Sequence, residues 1–142
     1  MKPALIFLFG ILLVACAARQ GEPMAFPTTC NEADDGKYVA ITGYLTDGGS
    51  LYYSNTGGRM DCNFDLTEKP GGGGAKIIAS IAQGSGRSSV EDFGKSYKAS
   101  DLKIHDNSGG MVKVGDKVTV TGKYSAAPGG SSCFITVDKI DK

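Results

Sequence analysis

The chain has 142 residues, with 15 basic and 15 acidic side chains, one His, four Cys and no Trp. Its neutrality leaves no broad electrostatic footprint, which argues against a polybasic membrane patch and against the phosphate neutralisation behind non-specific nucleic-acid binding. No paired-carboxylate, Ser/His/Asp or metal-ligand constellation stands out, so no enzyme activity, cofactor or metal is expected. In chain order, Lys2 comes first, followed by an uncharged apolar run over residues 4–14 broken only by Gly10. A membrane-spanning helix needs roughly 20 residues. The run is shorter and reads as the apolar core of a signal peptide.

That run ends Leu13-Val14-Ala15-Cys16. The phrase resembles a lipobox, the bacterial pattern in which a diacylglycerol is attached to the Cys thiol and the chain is cut just before it. The resemblance covers only the leader. It implies a signal peptide over residues 1–15, a lipidated Cys16 and a durable membrane anchor, since several acyl chains hold far more firmly than one. The other reading is an ordinary secretory leader cut after Ala15 or Ala17. Ala17, not Asp, follows the Cys. In enteric-type bacteria that implies sorting to the outer membrane, facing the periplasm. Losing the leader removes Lys2 and leaves one net negative charge.

Residues 17–36 hold two prolines and no sustained periodicity, so residues 16–36 read as the lipidated Cys and a tether. Residues 31–35 suggest one helical turn. Glu32, Asp34 and Asp35 lack the spacing of a calcium loop and read as a solvated acidic turn. Residues 37–46 alternate, with Val39, Ile41, Gly43 and Leu45 on one side and Tyr38, Ala40, Thr42 and Tyr44 on the other, as a half-buried strand does. Asp47-Gly48-Gly49 turns the chain into a short second strand over 50–55. Thr56-Gly57-Gly58 turns it again into a third over 60–67, where Met60, Cys62, Phe64 and Leu66 share a face. The glycine run 71–74 lacks the Gly-Lys-Ser/Thr of a phosphate loop and reads as a flexible loop. Residues 76–83 read as a strand, the third one resumed. Residues 85–100 are polar, with one helical turn at Val90-Glu91-Asp92-Phe93, and 100–105 are extended. Two alternating runs close the chain. Val118 and Val120 lie on one face of the first, and Ile135 and Val137 on one face of the second, with Pro128-Gly129-Gly130 between them.

Tyr38-Val39-Ala40-Ile41-Thr42-Gly43 and Val114-Gly115-Asp116-Lys117-Val118-Thr119-Val120-Thr121-Gly122 resemble the first and fourth strands of an OB-fold. Together with the lipobox, the chain looks like a small bacterial OB-fold lipoprotein of the anticodon-binding-like type. The resemblance covers residues 37–142 and implies an all-β domain with minor helix, a five-stranded Greek-key barrel. In such a barrel the third and fifth strands are neighbours, which implies a Cys62–Cys133 disulfide; Cys30–Cys133 is the runner-up. OB-folds bind ligands on the face of strands two and three. That points to Tyr44, Tyr52, Arg59 and Asn63, with Pro128–Gly130 at the rim. The expected function is a non-enzymatic binding module of the cell envelope, taking a glycan, a peptide or another envelope component. The alternatives are a structural lipoprotein that contacts an envelope protein, or an oligonucleotide-binding domain, which export and neutral charge oppose.

Overall fold

β-branched and aromatic residues alternating with small polar ones drive most of this chain into extended backbone. The computed structural model describes residues 19–142, so the leader and Cys16 lie outside the described residues. The strands are β1 (Glu22–Pro23), β2 (Tyr38–Thr46), β3 (Tyr52–Thr56), β4 (Arg59–Lys69), β5 (Gly73–Ala82), β6 (Ser89–Val90), β7 (Ile104–His105), β8 (Met111–Val112), β9 (Lys117–Ala126) and β10 (Cys133–Asp141). Seven of them form one sheet in the order β1-β2-β9-β10-β5-β4-β3, and a further antiparallel pairing of β2 with β4 closes it. The result is a five-stranded barrel of β2, β4, β5, β9 and β10. Within it β10 and β5 run side by side and parallel, Ile135 opposite Ala79. This is an all-β, five-stranded closed barrel, as the resemblance to an OB-fold implies.

The inward faces supply the core. Val39, Ile41, Leu45, Phe64, Leu66, Ile77 and Ile81 are buried, and so are Val118, Val120, Ile135 and Val137 of the last two strands. Burying each such side chain contributes about 1.5–3 kcal/mol. At Gly122 a Cβ would sit 2.0 Å from the Thr136 carbonyl oxygen, so only glycine lets β9 approach β10 there. The register of β10 slips next to this contact, between Val137 and Lys139.

The structure redistributes the strands between residues 47 and 83. The run expected as the third strand is β4, the second strand of the barrel. The short run before it is β3, an edge strand outside the barrel. Residues 76–83 fall mostly in β5, a separate strand antiparallel to β4, not a resumption of it. The glycine run is the cause: Gly71 and Gly72 have φ of 72° and 85° and reverse the chain tightly, where a flexible loop was expected. The helical turn expected at Val90 is absent, because Ser89–Val90 pairs with β7. Together β6, β7 and β8 form a small sheet whose Val90, Ile104 and Val112 join the barrel core. The Ser88 hydroxyl accepts the Ile140 N–H at 3.0 Å, and the Asn107 N–H donates to the Ile140 carbonyl at 2.7 Å. These bonds fasten the small sheet to the end of β10. Among the described residues no helix is long and apolar enough to cross a membrane.

Two expectations are corrected at the N-terminal side. The tether was expected to run to residue 36, but the described part of it is packed on the barrel. The Arg19 guanidinium lies 4.3 Å from the Tyr38 ring centre, β1 pairs parallel with β2, and Met24 and Phe26 pack against the core. The strap ends in a disulfide between Cys30 and Cys133, Cα–Cα 5.3 Å, and not in the expected Cys62–Cys133 pair. Cys62 is a free, buried thiol. The reason is topological: β5 lies between β4 and β10, so Cys62 and Cys133 are two strand spacings apart sideways, about 9.6 Å, and are further offset by about four residues along the strands. A disulfide needs Cα atoms within about 6.8 Å.

Candidate ligand-binding face

Side chains alternate along each strand, so when Cys62 and Phe64 point inward, Asp61 and Asn63 point outward. The register then sets one row across four strands: Tyr52 of β3 opposite Asn63 of β4, Asn63 opposite Ser80 of β5, and Ser80 opposite Thr136 of β10. Phe134 stands two residues before Thr136 on the same face. With Ser54 these residues line a groove of about 280 Å³. Three strand spacings separate Tyr52 from Thr136, about 14 Å. Tyr52 is 52 % exposed and forms one wall, and Phe134 forms the other.

The floor is a fixed polar network. Asn63 is almost wholly buried; its amide donates to the Tyr52 carbonyl at 3.2 Å and the Ser54 hydroxyl at 3.0 Å. Its carbonyl oxygen accepts from the Ser80 hydroxyl at 2.6 Å. Both Asn63 donors are thereby used, and the side chain acts by orienting its neighbours. Ser54 accepts from Asn63 and keeps its own proton to donate, while Ser80 donates to Asn63 and keeps its lone pairs to accept. The row offers a donor and an acceptor side by side, between aromatic walls.

Arg59 lies at the end of this face, as expected, but its Nε and Nη2 donors are occupied. It pairs through Nε with buried Asp61, and Nη2 donates to the Val137 carbonyl at 2.9 Å and the Ser80 carbonyl at 3.3 Å. The Asp138 carboxylate is 3.8 Å from Nη1. Arg59 clamps β4, β5 and β10 together and brings no unpaired charge to the groove. Tyr44 is not part of the groove. It faces outward on β2 opposite Thr67 and Lys117, and Thr67 is four residues from Asn63, about 13 Å along β4. The Lys117 ammonium lies 6.0 Å from the Tyr44 ring centre. At the rim, the Gly129 N–H donates to the Glu32 carboxylate at 2.7 Å, and the adjacent disulfide fixes the turn.

Alternation puts Phe134 and Thr136 on the face opposite Ile135 and Val137, but gives no register that joins them to Asn63. Ser54 and Ser80 carried no signal beyond their alternation. Elsewhere, His105 Nε2 lies 2.9 Å from the Glu91 carboxylate, and that hydrogen bond holds the Glu91 carboxyl below its ordinary range. Burial pushes the Cys62 thiol up to about 12, far from the thiolate a nucleophile needs. Glu32, Asp34 and Asp35 each have a protein partner, in the Gly129 N–H, the Lys37 ammonium and the Ala126 N–H. Among the described residues no group of three or more His, Cys, Asp or Glu side chains is placed to hold a metal ion. No protein-family model, no curated protein and no solved structure matches this chain.

Proposed function

We propose that the protein is an exported module, anchored to the cell envelope through a lipid on Cys16, that binds a neutral saccharide without transforming it. The observation that carries this reading is the row Tyr52–Asn63–Ser80–Thr136, with Phe134 as its second wall. Aromatic rings stack on the apolar faces of sugar rings, and paired hydroxyl donors and acceptors match sugar hydroxyls. A peptide would want free backbone groups, and those of β4 and β5 are engaged in the barrel. An oligonucleotide would want unpaired cations, and Arg59 is neutralised where it stands. The span of about 14 Å suits an oligomer better than a single ring. The membrane address rests on the leader and on the Ala15-Cys16 junction.

The test is a glycan array, peptidoglycan fragments included, followed by calorimetry on the full chain. Tyr52→Ala and Phe134→Ala are each expected to weaken the best hit at least tenfold, about 1.4 kcal/mol. Binding that survives both substitutions, or no hit on the array, would sink the assignment. Acyl labelling that is lost in Cys16→Ser tests the address separately.

A further inference from the structure

The seven-stranded sheet has two ends. At one, β1 is two residues long and consists of a charge and a proline, both of which guard an edge against foreign strands. At the other, β3 is five residues long, and the segment from Leu51 through Gly58 contains neither charge nor proline. Gly57 and Gly58, at φ 63° and 85°, make a two-residue hairpin turn, which sets Thr56 and Arg59 as a hydrogen-bonded pair. Alternation then directs the backbone of Ser54 and Tyr52 toward β4 and that of Tyr53 and Asn55 outward. The Leu51 N–H, which also points outward, is taken by the Tyr97 hydroxyl at 3.0 Å. The Tyr53 and Asn55 amides have no partner among the described residues.

We propose that β3 is a pairing edge for a second copy of this chain, joined antiparallel about a twofold axis at Ser54. Tyr53 then exchanges both backbone hydrogen bonds with the partner's Asn55, and Asn55 does the same with the partner's Tyr53. The outward N–H and C=O groups of both residues are then satisfied. A second copy fits better than a foreign peptide because of charge. In a self-paired strand any Lys or Glu faces its own copy or a near neighbour of it, and like charges placed opposite repel. The lack of charge from Leu51 through Gly58 suits that symmetry, because no like charges are brought together. The axis stands perpendicular to the sheet, so both outer faces look the same way. The two grooves then meet at their Ser54 ends, with the two Tyr52 side chains offset by four residues along the paired strands, about 13 Å, and form one longer site. The pairing itself does not depend on what the groove binds. A contact of five residues a side falls below the roughly 1,000 Å² of a stable interface. The dimer is therefore weak in dilute solution and favoured where copies share a membrane surface.

Ser54→Cys tests this in the full chain, both in membranes of the producing cells and in detergent. At the axis the two Cα atoms stand about 4.5 Å apart, within bridging range. The expected result is at least tenfold more covalent dimer than from wild type, which controls for Cys16 and Cys62, or from Thr42→Cys on the exposed face of β2. Adding Asn55→Pro removes an outward N–H and also the side-chain acceptor of the Gly58 N–H, so it is read against Asn55→Ala, which loses only the latter; the proline should cut the yield at least tenfold relative to the alanine. A Ser54→Cys variant that cross-links no better than the Thr42→Cys control overturns the proposal, and so does a yield no lower with Asn55→Pro than with Asn55→Ala.

Discussion

Replacing both Cys30 and Cys133 by Ala removes the only covalent cross-link among the described residues, and its cost follows from the loop it closes. The link spans 103 positions. In the chain-entropy model a loop of that length lowers the entropy of the unfolded chain by about 16 cal/mol/K, or about 4.7 kcal/mol at 25 °C. The native side adds little, because Cys133 is buried beside Ala126 in a wall that otherwise keeps its strand hydrogen bonds. Equilibrium urea unfolding followed by far-ultraviolet circular dichroism reads the effect. The double variant is expected to lose about 3–5 kcal/mol, and its urea slope should rise because the uncrosslinked chain exposes more surface when unfolded. The slope separates an unfolded-state effect from simple loss of packing, which would leave it unchanged. A loss below about 1 kcal/mol with an unchanged slope would refute the reasoning, since it would mean that the strap is held by β1, Met24 and Phe26 without help from the bond.

Tyr124 is fully buried, and among the described residues its hydroxyl makes no hydrogen bond of good geometry, the Asn31 backbone being its polar neighbour. Tyr124→Phe should therefore be neutral or stabilising by about 1 kcal/mol, where a hydrogen-bonded phenol would lose a similar amount. Gly122→Ala should cost at least about 3 kcal/mol in the same urea assay or prevent folding, because the new methyl meets backbone. Cys62 should resist alkylation at pH 8 in the native protein and react at once in denaturant; rapid native labelling would contradict its burial. Asp106 accepts from the Ser108 hydroxyl and from the Ser108 and Gly110 amides, and these bonds hold its carboxyl below the usual range. Its stabilisation is complete above the ordinary carboxylate range, near pH 4, and is lost as pH falls through the depressed folded value. Glu91, beside His105, and Asp116, beside Lys142, are shifted the same way. Melting temperature should hold from pH 7 to about 5 and then decline, and Asp106→Asn should start lower and decline less.

Much of the barrel was legible because its strands alternate cleanly. Val39 and Ile41, Val118 and Val120, and Ile135 and Val137 declare their inward faces with a period of two, and all six are buried. What alternation does not carry is the identity of a strand's neighbours. For that reason β3, β4 and β5 were each recognisable as strands but received the wrong places. The Cys62 pairing failed with them, because it depended on β4 lying beside β10. The strap was illegible for another reason. Residues 22–30 show no sustained periodicity, and Met24, Phe26 and Cys30 pack against the core at uneven spacing. At the site, Tyr52 and Asn63 were legible as outward residues near a turn. Arg59 was legible as a cation but not as one already bound to Asp61, because that pairing spans two residues on one face and depends on the burial of β4. Phe134, Ser80 and Thr136 enter only when β10 is laid beside β5.

The covalent link also decides where a mechanical load would travel. A pull on the N-terminal end can peel β1 and its neighbours only as far as Cys30. From there tension crosses the sulfur bridge to Cys133, so residues 31–132, inside the covalent ring, bear none of it. The pull emerges one residue from Phe134, so a load applied at the N-terminal end enters β10 beside the wall of the groove.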